Sequence, residues 1–509
     1  MNHQDISTLG QLKASGYKCR SVKEEMRENL IASLRQQHDF LQEIKGYEDT
    51  VIPQLQTAIL SRHNIILLGL RGQAKTRVAR LMVRLLDEYM PIVTGSEIND
   101  DPLQPISRFA LDTIAEHGDN TPIAWIHRDE RYTEKLATPD VSISDLIGDV
   151  DPIKAATMKL TYADERVIHF GLIPRSHRCI FVINELPDLQ ARIQVALFNI
   201  LQEGDIQIRG FKLRLPLDLQ FVFTANPEDY TNRGSIVTPL KDRIDSQILT
   251  HYPKTVAISR AITEQEARLS DSQRKHVVAS ELIKHLIESI SFEARASEYI
   301  DQKSGVSARL NISAYENIFS AAERRMILTH EKSAMLRIGD LYSAIPSITG
   351  KVELVYEGEL EGISNVAFFL IGKLIRKEFE KIFPSPEKIK KDKKTKHVSP
   401  YIGLVDWFNN GNSVDLLHDM RTAEYENTLR SVPGLKELVA TYLPNIPASE
   451  QLLYMEFALH GLSEFSQISK HRLDRGMQFK DLMGSMFTLD QSEDDDLEEG
   501  NNGPDFRNN

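Results

Sequence analysis

"IILLGLRGQAKTRVAR", from Ile65 to Arg80, is the stretch that decides how this chain is read. It opens as an apolar run of strand character, passes through Gly69 and Gly72, and ends with Lys75 and Thr76 opening a helical pattern. The spacing approaches the phosphate-binding loop G-x-x-x-x-G-K-[ST], except that Ala74 stands where the second glycine belongs. Such a loop works because successive backbone N–H groups, ending at a helix N-terminus, point at the phosphates. Gly69 and Gly72 provide the backbone freedom of a tight anion-wrapping turn. In that reading Gly69, Leu70, Arg71, Gly72, Gln73, Ala74, Lys75 and Thr76 form the cradle. Lys75 reaches the β- and γ-phosphates, and the Thr76 hydroxyl binds Mg2+. Ala74 is expected at the start of the helix with negative φ, where its methyl is the smallest intrusion. On this stretch alone, a strand–turn–helix with an incidental Lys-Thr stays open.

A second stretch narrows the choice. "RCIFVINELPDL" (178–189) is an apolar strand ending in Asn184 and Glu185. Hydrolysis at a phosphate loop needs an acidic pair at the end of a neighbouring strand, one acid holding Mg2+ through its water shell and one activating water. Glu185 can be the base. Asn184 can hydrogen-bond a metal-bound water but brings no charge. "LQFVFTANPEDY" (219–230) is another apolar strand, ending in Thr224 and Asn226, whose amide can position the attacking water. "TPLKDRID" (238–245) carries Arg243, a candidate trans finger on a neighbouring subunit's γ-phosphate. "SGVSARLNISAY" (304–315) carries Arg309, which opens a helix and could reach over the nucleotide.

By order and wording, these segments resemble the AAA+ ATPases of the MoxR and magnesium-chelatase-ATPase branch. "GLRGQAKT" is similar to their Walker A, "VINELPDLQARIQVALFNILQEGDIQIRG" to their Walker B with the helix and hairpin after it. "TANPEDY" matches sensor 1, "LKDRID" the arginine-finger region and "SARLNISAY" the sensor 2 helix. "DLIGDVDP" followed by "HFGLIPRSHRC" looks like the chelatase-type segment ahead of Walker B, and "GYEDTVIPQLQTAIL" (46–60) like the adenine-side entry helix. The likeness covers about residues 46–350. It implies ATP and Mg2+ as ligands, a homo-oligomeric ring, usually a hexamer, and nucleotide at subunit interfaces. Residue by residue it implies Glu185 as base, Asn226 as sensor 1, Arg243 as trans finger and Arg309 as sensor 2. Asn184 departs from the Asp that the family usually has, which leaves Mg2+ affinity and turnover open.

Members of this branch typically act on protein clients, partnered with a von Willebrand factor A-domain protein. The expected function is therefore an ATP-driven remodelling motor. A magnesium-chelatase motor subunit, a transcriptional activator without its "GAFTGA" loop, and a nucleotide-gated scaffold with little turnover are the alternatives. Neighbouring genes separate the first two, and turnover separates the scaffold.

Length and composition frame these readings. A chain of 509 residues suggests more than one domain. The expected fold class is α/β: an AAA+ P-loop core with a parallel sheet (46–255), then an all-α lid (256–350). A helical N-terminal segment (1–45) precedes them. A helical extension with a basic linker (351–397), a helical C-terminal region (398–486) and an acidic disordered tail (487–509) follow. Strands are expected at Ile65–Leu68, Ile123–Ile126, Cys179–Ile183 and Leu219–Thr224, and an amphipathic helix over 22–43. "KVELVYEGELEG" (351–362) reads as a short strand or loop, and Ile363–Phe383 as an amphipathic helix. The N-terminal helix and the C-terminal extension are expected to offer adaptor surfaces.

Net charge is −12, and "EDDDLEE" (493–499) holds six of the acids, so nucleic acid is not expected as the main ligand. The lysines at 388, 390, 391, 393, 394 and 396 read as a solvated linker. With two cysteines, no apolar run long enough to span a membrane and no secretory signal, the expected location is cytoplasmic.

Overall fold

The computed structural model describes residues 5–161, 164–208, 214–227, 235–391 and 399–482. The acidic tail, the second half of the lysine run (Lys393, Lys394 and Lys396) and residues 209–213 lie outside these. The chain divides into two compact units, Met1–Tyr252 and Pro253–Asn509.

Five parallel strands organise the first unit: β1 (Ile65–Leu68), β2 (Tyr132–Leu136), β3 (Cys179–Asn184), β4 (Leu219–Ala225) and β5 (Ser246–Leu249). Their order across the sheet is β5-β1-β4-β3-β2. The three central strands are buried at every position, as the unbroken apolar runs require of a sheet covered on both faces. Alternation divides their side chains between two cores. Ile65, Leu67, Ile180, Val182 and Val222 pack with Val78 and Ala79 of helix α3 (Lys75–Leu81). Ile66, Leu68, Phe181, Ile183, Phe221 and Phe223 pack on the other face with Ile193, Leu197 and Ile200 of α4 (Ala191–Glu203). This is the α/β core that the resemblance implies.

One expected strand belongs elsewhere. Ile123–His127 pairs antiparallel with Tyr89–Val93, outside the main sheet. The strand beside Cys179–Asn184 is instead Tyr132–Leu136, with Leu136 opposite Asn184. It is an edge strand, half-buried over Tyr132–Lys135, so its sequence has no apolar run to announce it.

The N-terminal helix is shorter than expected. It runs Val22–Arg35 (α1), capped by the Ser21 hydroxyl accepting from the Glu24 N–H. Gln37 then takes a left-handed φ of 52°, which ends the helix. Phe40, Leu41 and Ile44 still reach the core, from a turn and not from a continued helix. Val22, Met26 and Leu30 pack into the same core as the sheet, so this face of α1 is interior. The entry helix α2 spans Val51–Leu60.

In the second unit the helices Val256–Glu266, Asp271–His276, Glu281–Arg295 and Arg309–Thr329 follow the expected pattern. A two-residue strand pair, Val277–Val278 with Ala334–Met335, interrupts the expected all-α character. "KVELVYEGELEG" is not a strand: Tyr356–Glu361 is a helical turn after an isolated bridge at Leu354. Ile363–Ile382 is helical, with Val366, Leu370 and Leu374 buried as spaced. Pro386–Lys391 is also helical, so the first part of the lysine run is not an irregular linker. The C-terminal region, expected to be helical, includes a three-stranded antiparallel sheet of Val414–Leu417, Gly476–Lys480 and Ser469–Leu473. One hydrophobic core in this unit runs from Ala267 to Phe479. Among the described residues, no helix is long and apolar enough to cross a membrane.

Candidate nucleotide site

The loop after β1 leaves the sheet where Gly69 donates its N–H to the Ala225 carbonyl (3.1 Å) at the end of β4. Gly69 is dictated by crowding. A Cβ there would overlap the Thr250 hydroxyl and the Gln73 side-chain oxygen, which are themselves hydrogen-bonded at 2.6 Å. Gly72 has φ +74°, which favours glycine. Ala74 has φ +58° and ψ +15°, a left-handed conformation, so the expected negative φ is wrong. The glycine of the full motif has a backbone reason, and alanine here accepts a strain of about 1–2 kcal/mol. The strain is tolerated because neighbours fix the loop from outside. Tyr252 donates its hydroxyl to the Arg71 carbonyl (2.9 Å), and the Tyr47 hydroxyl lies 2.8 Å from the Gln73 carbonyl and 2.9 Å from that of His251. Burial pushes the Tyr47 phenol up to about 12, keeping it a donor.

Lys75 and Thr76 form the first turn of α3, capped by an alanine whose side chain cannot bond the leading N–H groups. The Lys75 ammonium is buried and folds back onto the loop, donating to the carbonyls of Gly69 and Leu70. Gly69, Leu70, Arg71, Gly72, Gln73, Ala74, Lys75 and Thr76 thus form one closed turn at the C-terminal edge of the sheet.

On the same edge β3 ends in Asn184 and Glu185. Asn184 is buried, and its amide is oriented from both sides. The Thr224 hydroxyl donates to its Oδ1 (3.0 Å), and its Nδ2 donates to Glu134 Oε1 on β2 (2.6 Å). The Thr224 hydroxyl in turn accepts from the Glu185 N–H (3.2 Å). Glu185 has φ +54°, a sharp departure from the strand, and its side chain is half-buried. Asn226, also half-buried, follows Ala225, which pairs with Leu68 just before the loop begins. The loop, Asn184, Glu185 and Asn226 therefore share one edge.

Arg243 ends the helix Thr238–Arg243. Its guanidinium stacks over Phe198 (5.0 Å to the centroid) and donates to Gln202 (3.0 Å) and the Pro239 carbonyl (2.8 Å), all in its own chain. Arg309 begins its helix as expected, with an exposed side chain, in the second unit.

Sequence reading missed Glu134, Thr250 and Tyr252. Glu134 sits in a polar edge strand, and the other two lie beyond β5, brought to the loop only by the crossover of the sheet. The arrangement offers N–H groups and a lysine for an anion. Thr76, Asn184 and Glu134 add oxygen ligands of the hard type that suits Mg2+.

No family model matches the chain. Among solved structures it is similar to NtrX from Brucella abortus, with 13% identity and a TM-score of 0.31, over 57% of this chain and 55% of that one. The chain thus spans about half the length of that protein. It is also similar to the complex of BchI and BchD of magnesium chelatase, with 18% identity, a TM-score of 0.32, and coverage of 62% and 97%. A putative ATPase from Cytophaga hutchinsonii shares 18% identity at a TM-score of 0.27, over 72% of this chain and 98% of that one. At scores this low, function has to come from the residues of the site.

Proposed function

We propose that this chain is a ring-forming AAA+ ATPase of the MoxR and magnesium-chelatase-ATPase branch that uses ATP hydrolysis to remodel protein clients. What supports this reading most is the single sheet edge on which the phosphate loop, Asn184, Glu185 and Asn226 meet. Lys75 leaves its carbonyl partners for the β- and γ-phosphates, and the loop N–H groups hold the phosphate oxygens. Thr76 and Asn184 are the residues that would hold Mg2+, which supplies charge neutralisation on the phosphates when bound. Glu185 takes the proton of the attacking water, and Asn226 orients that water. Arg243 reaches the neighbouring subunit's nucleotide after releasing Gln202, and Arg309 is the sensor 2 arginine.

A hexameric ring, a von Willebrand factor A-domain partner and a cytoplasmic location complete the reading. Mixing Arg243→Ala subunits with Glu185→Gln subunits tests the shared interface. Partial recovery of ATP hydrolysis at intermediate ratios is expected, and no recovery at any ratio removes Arg243 from a trans role.

Asn184 favours a second reading, a nucleotide-gated scaffold. A neutral amide where a carboxylate is usual weakens the hold on Mg2+, and binding without appreciable turnover would follow. Turnover by the assembled protein separates the two.

A further inference from the structure

Asn184 removes one negative charge from the position next to the base, yet a carboxylate lies immediately beside it. Glu134 Oε1 accepts from Asn184 Nδ2 at 2.6 Å. Strand register explains the meeting. Glu134 is opposite Val182 and Leu136 is opposite Asn184, so Glu134, Val182 and Asn184 present their side chains on one face. Val182 identifies that face as the one covered by α3, because it packs with Val78 and Ala79. Glu134 Oε2 accepts from Arg80 Nε (2.9 Å) on α3 and from the Tyr132 hydroxyl (3.0 Å). The carboxylate is 21% exposed, whereas Arg80 is 63% exposed, so the acid is the sheltered partner of that pair.

We propose that Glu134 supplies the charge that Asn184 lacks: displaced to the neighbouring strand and held by the Asn184 amide, its carboxylate anchors the water shell of the Mg2+ that accompanies the nucleotide. The proposal rests on the reading of the loop as an ATP site. Glu134 is then a positioning residue. It acts through water on the metal, and Asn184 is the bracket that holds it in place, its amide fixed by Thr224. The Glu134 carboxylate, the Asn184 Oδ1 and the Thr76 hydroxyl are oxygen groups, which matches the preference of Mg2+ for hard ligands and retained waters. Arg80 competes for the same carboxylate, so its ion pair is a brake on the site and not a part of it.

The test is Mg2+ titration of fluorescent ADP binding to the full-length protein, with EDTA as the metal-free reference. Glu134→Gln is expected to weaken the apparent Mg2+ affinity by about 10–100-fold, the cost of losing an outer-shell partner, with metal-free ADP affinity changed by less than about twofold. The double variant Glu134→Gln, Asn184→Asp moves the charge back to position 184, with the glutamine amide donating to the new carboxylate. It is expected to recover to within about threefold of wild type. Arg80→Gln breaks the ion pair without removing the acid, and should leave Mg2+ affinity unchanged or tighter. Equal losses with and without Mg2+ in Glu134→Gln, no recovery in the double variant, or a loss in Arg80→Gln as large as in Glu134→Gln would each overturn the proposal. Lys75→Ala separates this from the underlying reading. Wild type that fails to bind Mg2+-ADP, or Lys75→Ala that binds it as well as wild type, overturns both. Binding that depends on Lys75 but is indifferent to Glu134 overturns the role of Glu134 alone.

Discussion

Arg131 and Glu25 form a two-pronged ion pair in the first unit, both N···O distances 2.7 Å, with side chains 1% and 7% exposed. Arg131 immediately precedes β2, and Glu25 lies on α1, so the pair fastens the N-terminal helix to the strand that carries Glu134. The guanidinium also donates to the Arg178 carbonyl at 3.2 and 2.8 Å, leaving little of it unsatisfied.

Removing one partner strands the other charge in the core. Glu25→Ala should therefore destabilise the first unit by about 3–5 kcal/mol, and the double change Glu25→Leu, Arg131→Met by much less. The chain has two tryptophans, Trp125 and Trp407, so urea unfolding of the first unit can be followed by fluorescence in a Trp407→Phe background. Equal losses in the single and double variants would mean that packing, and not the charge, dominates.

Ala74 and Gly69 should respond in opposite directions. Ala74→Gly relieves a left-handed alanine at the cost of unfolded-state entropy, for a net gain of about 0.5–1 kcal/mol and unchanged nucleotide affinity. Gly69→Ala pushes into Thr250 and Gln73 and should weaken nucleotide binding at least about tenfold, or about 1.4 kcal/mol. Calorimetric titration with ADP reads both. A tolerated Gly69→Ala would show that the loop's close contact with Thr250 is not needed.

Asn184→Asp alone should harm the fold even though it installs the acid that the phosphate-loop chemistry usually uses. Two carboxylates would then lie at hydrogen-bond distance, and one of them must keep a proton in the folded state. Its folded pKa is raised, so the folded state binds more protons than the unfolded one and stability falls as pH rises above the usual carboxylate range. The expected loss at pH 8 relative to pH 5 is about 1–3 kcal/mol beyond that of wild type. Parallel pH profiles for Asn184→Asp and wild type would contradict the geometry between positions 134 and 184.

A second pair hides a pH dependence by cancellation. Burial raises Asp218 to about 6, although the Val22 N–H and Arg178 oppose the shift. Burial, with Arg178 beside it, lowers His177 to about 4, and its Nδ1 accepts from the Asp218 N–H at 2.9 Å. Between the usual Asp value and pH 6 the folded state holds a proton on Asp218 that the unfolded chain has lost, so this group lowers stability as pH rises. His177 does the reverse: between pH 4 and its usual value the unfolded chain takes a proton that the folded state refuses, so stability rises with pH. Asp218→Asn should expose a positive slope between about pH 4 and 6, and His177→Gln a negative one. Urea midpoints across that range decide it, and a flat profile in both variants would mean that neither shift exists.

The central strands and the loop were legible because complete burial leaves unbroken apolar runs, and because glycines and a Lys-Thr pair mark the turn. Tyr132–Leu136 was not legible, since an edge strand needs no apolar sequence, and Ile123–His127 took its place in the reading because it does have one. Glu134 was hidden for the same reason: its partnership with Asn184 spans fifty residues and exists only in the strand register. Ala74 misled because helix-start logic assigns it negative φ, whereas the turn before it demands a left-handed residue. The C-terminal sheet escaped notice because its strands are short: Val414–Leu417 alternates buried and exposed over only four residues, and Ser469–Leu473 is polar and mostly half-buried.

The decisive measurement is steady-state ATP hydrolysis by the assembled protein, wild type beside Glu185→Gln, with nucleotide binding checked in both. Wild type is expected to turn over ATP, and Glu185→Gln to bind it while hydrolysing about 100-fold more slowly or worse, the loss expected of a general base. Hydrolysis at the wild-type rate by Glu185→Gln would contradict the assignment of the base, and an assembled wild type that binds ATP without hydrolysing it would contradict the motor itself.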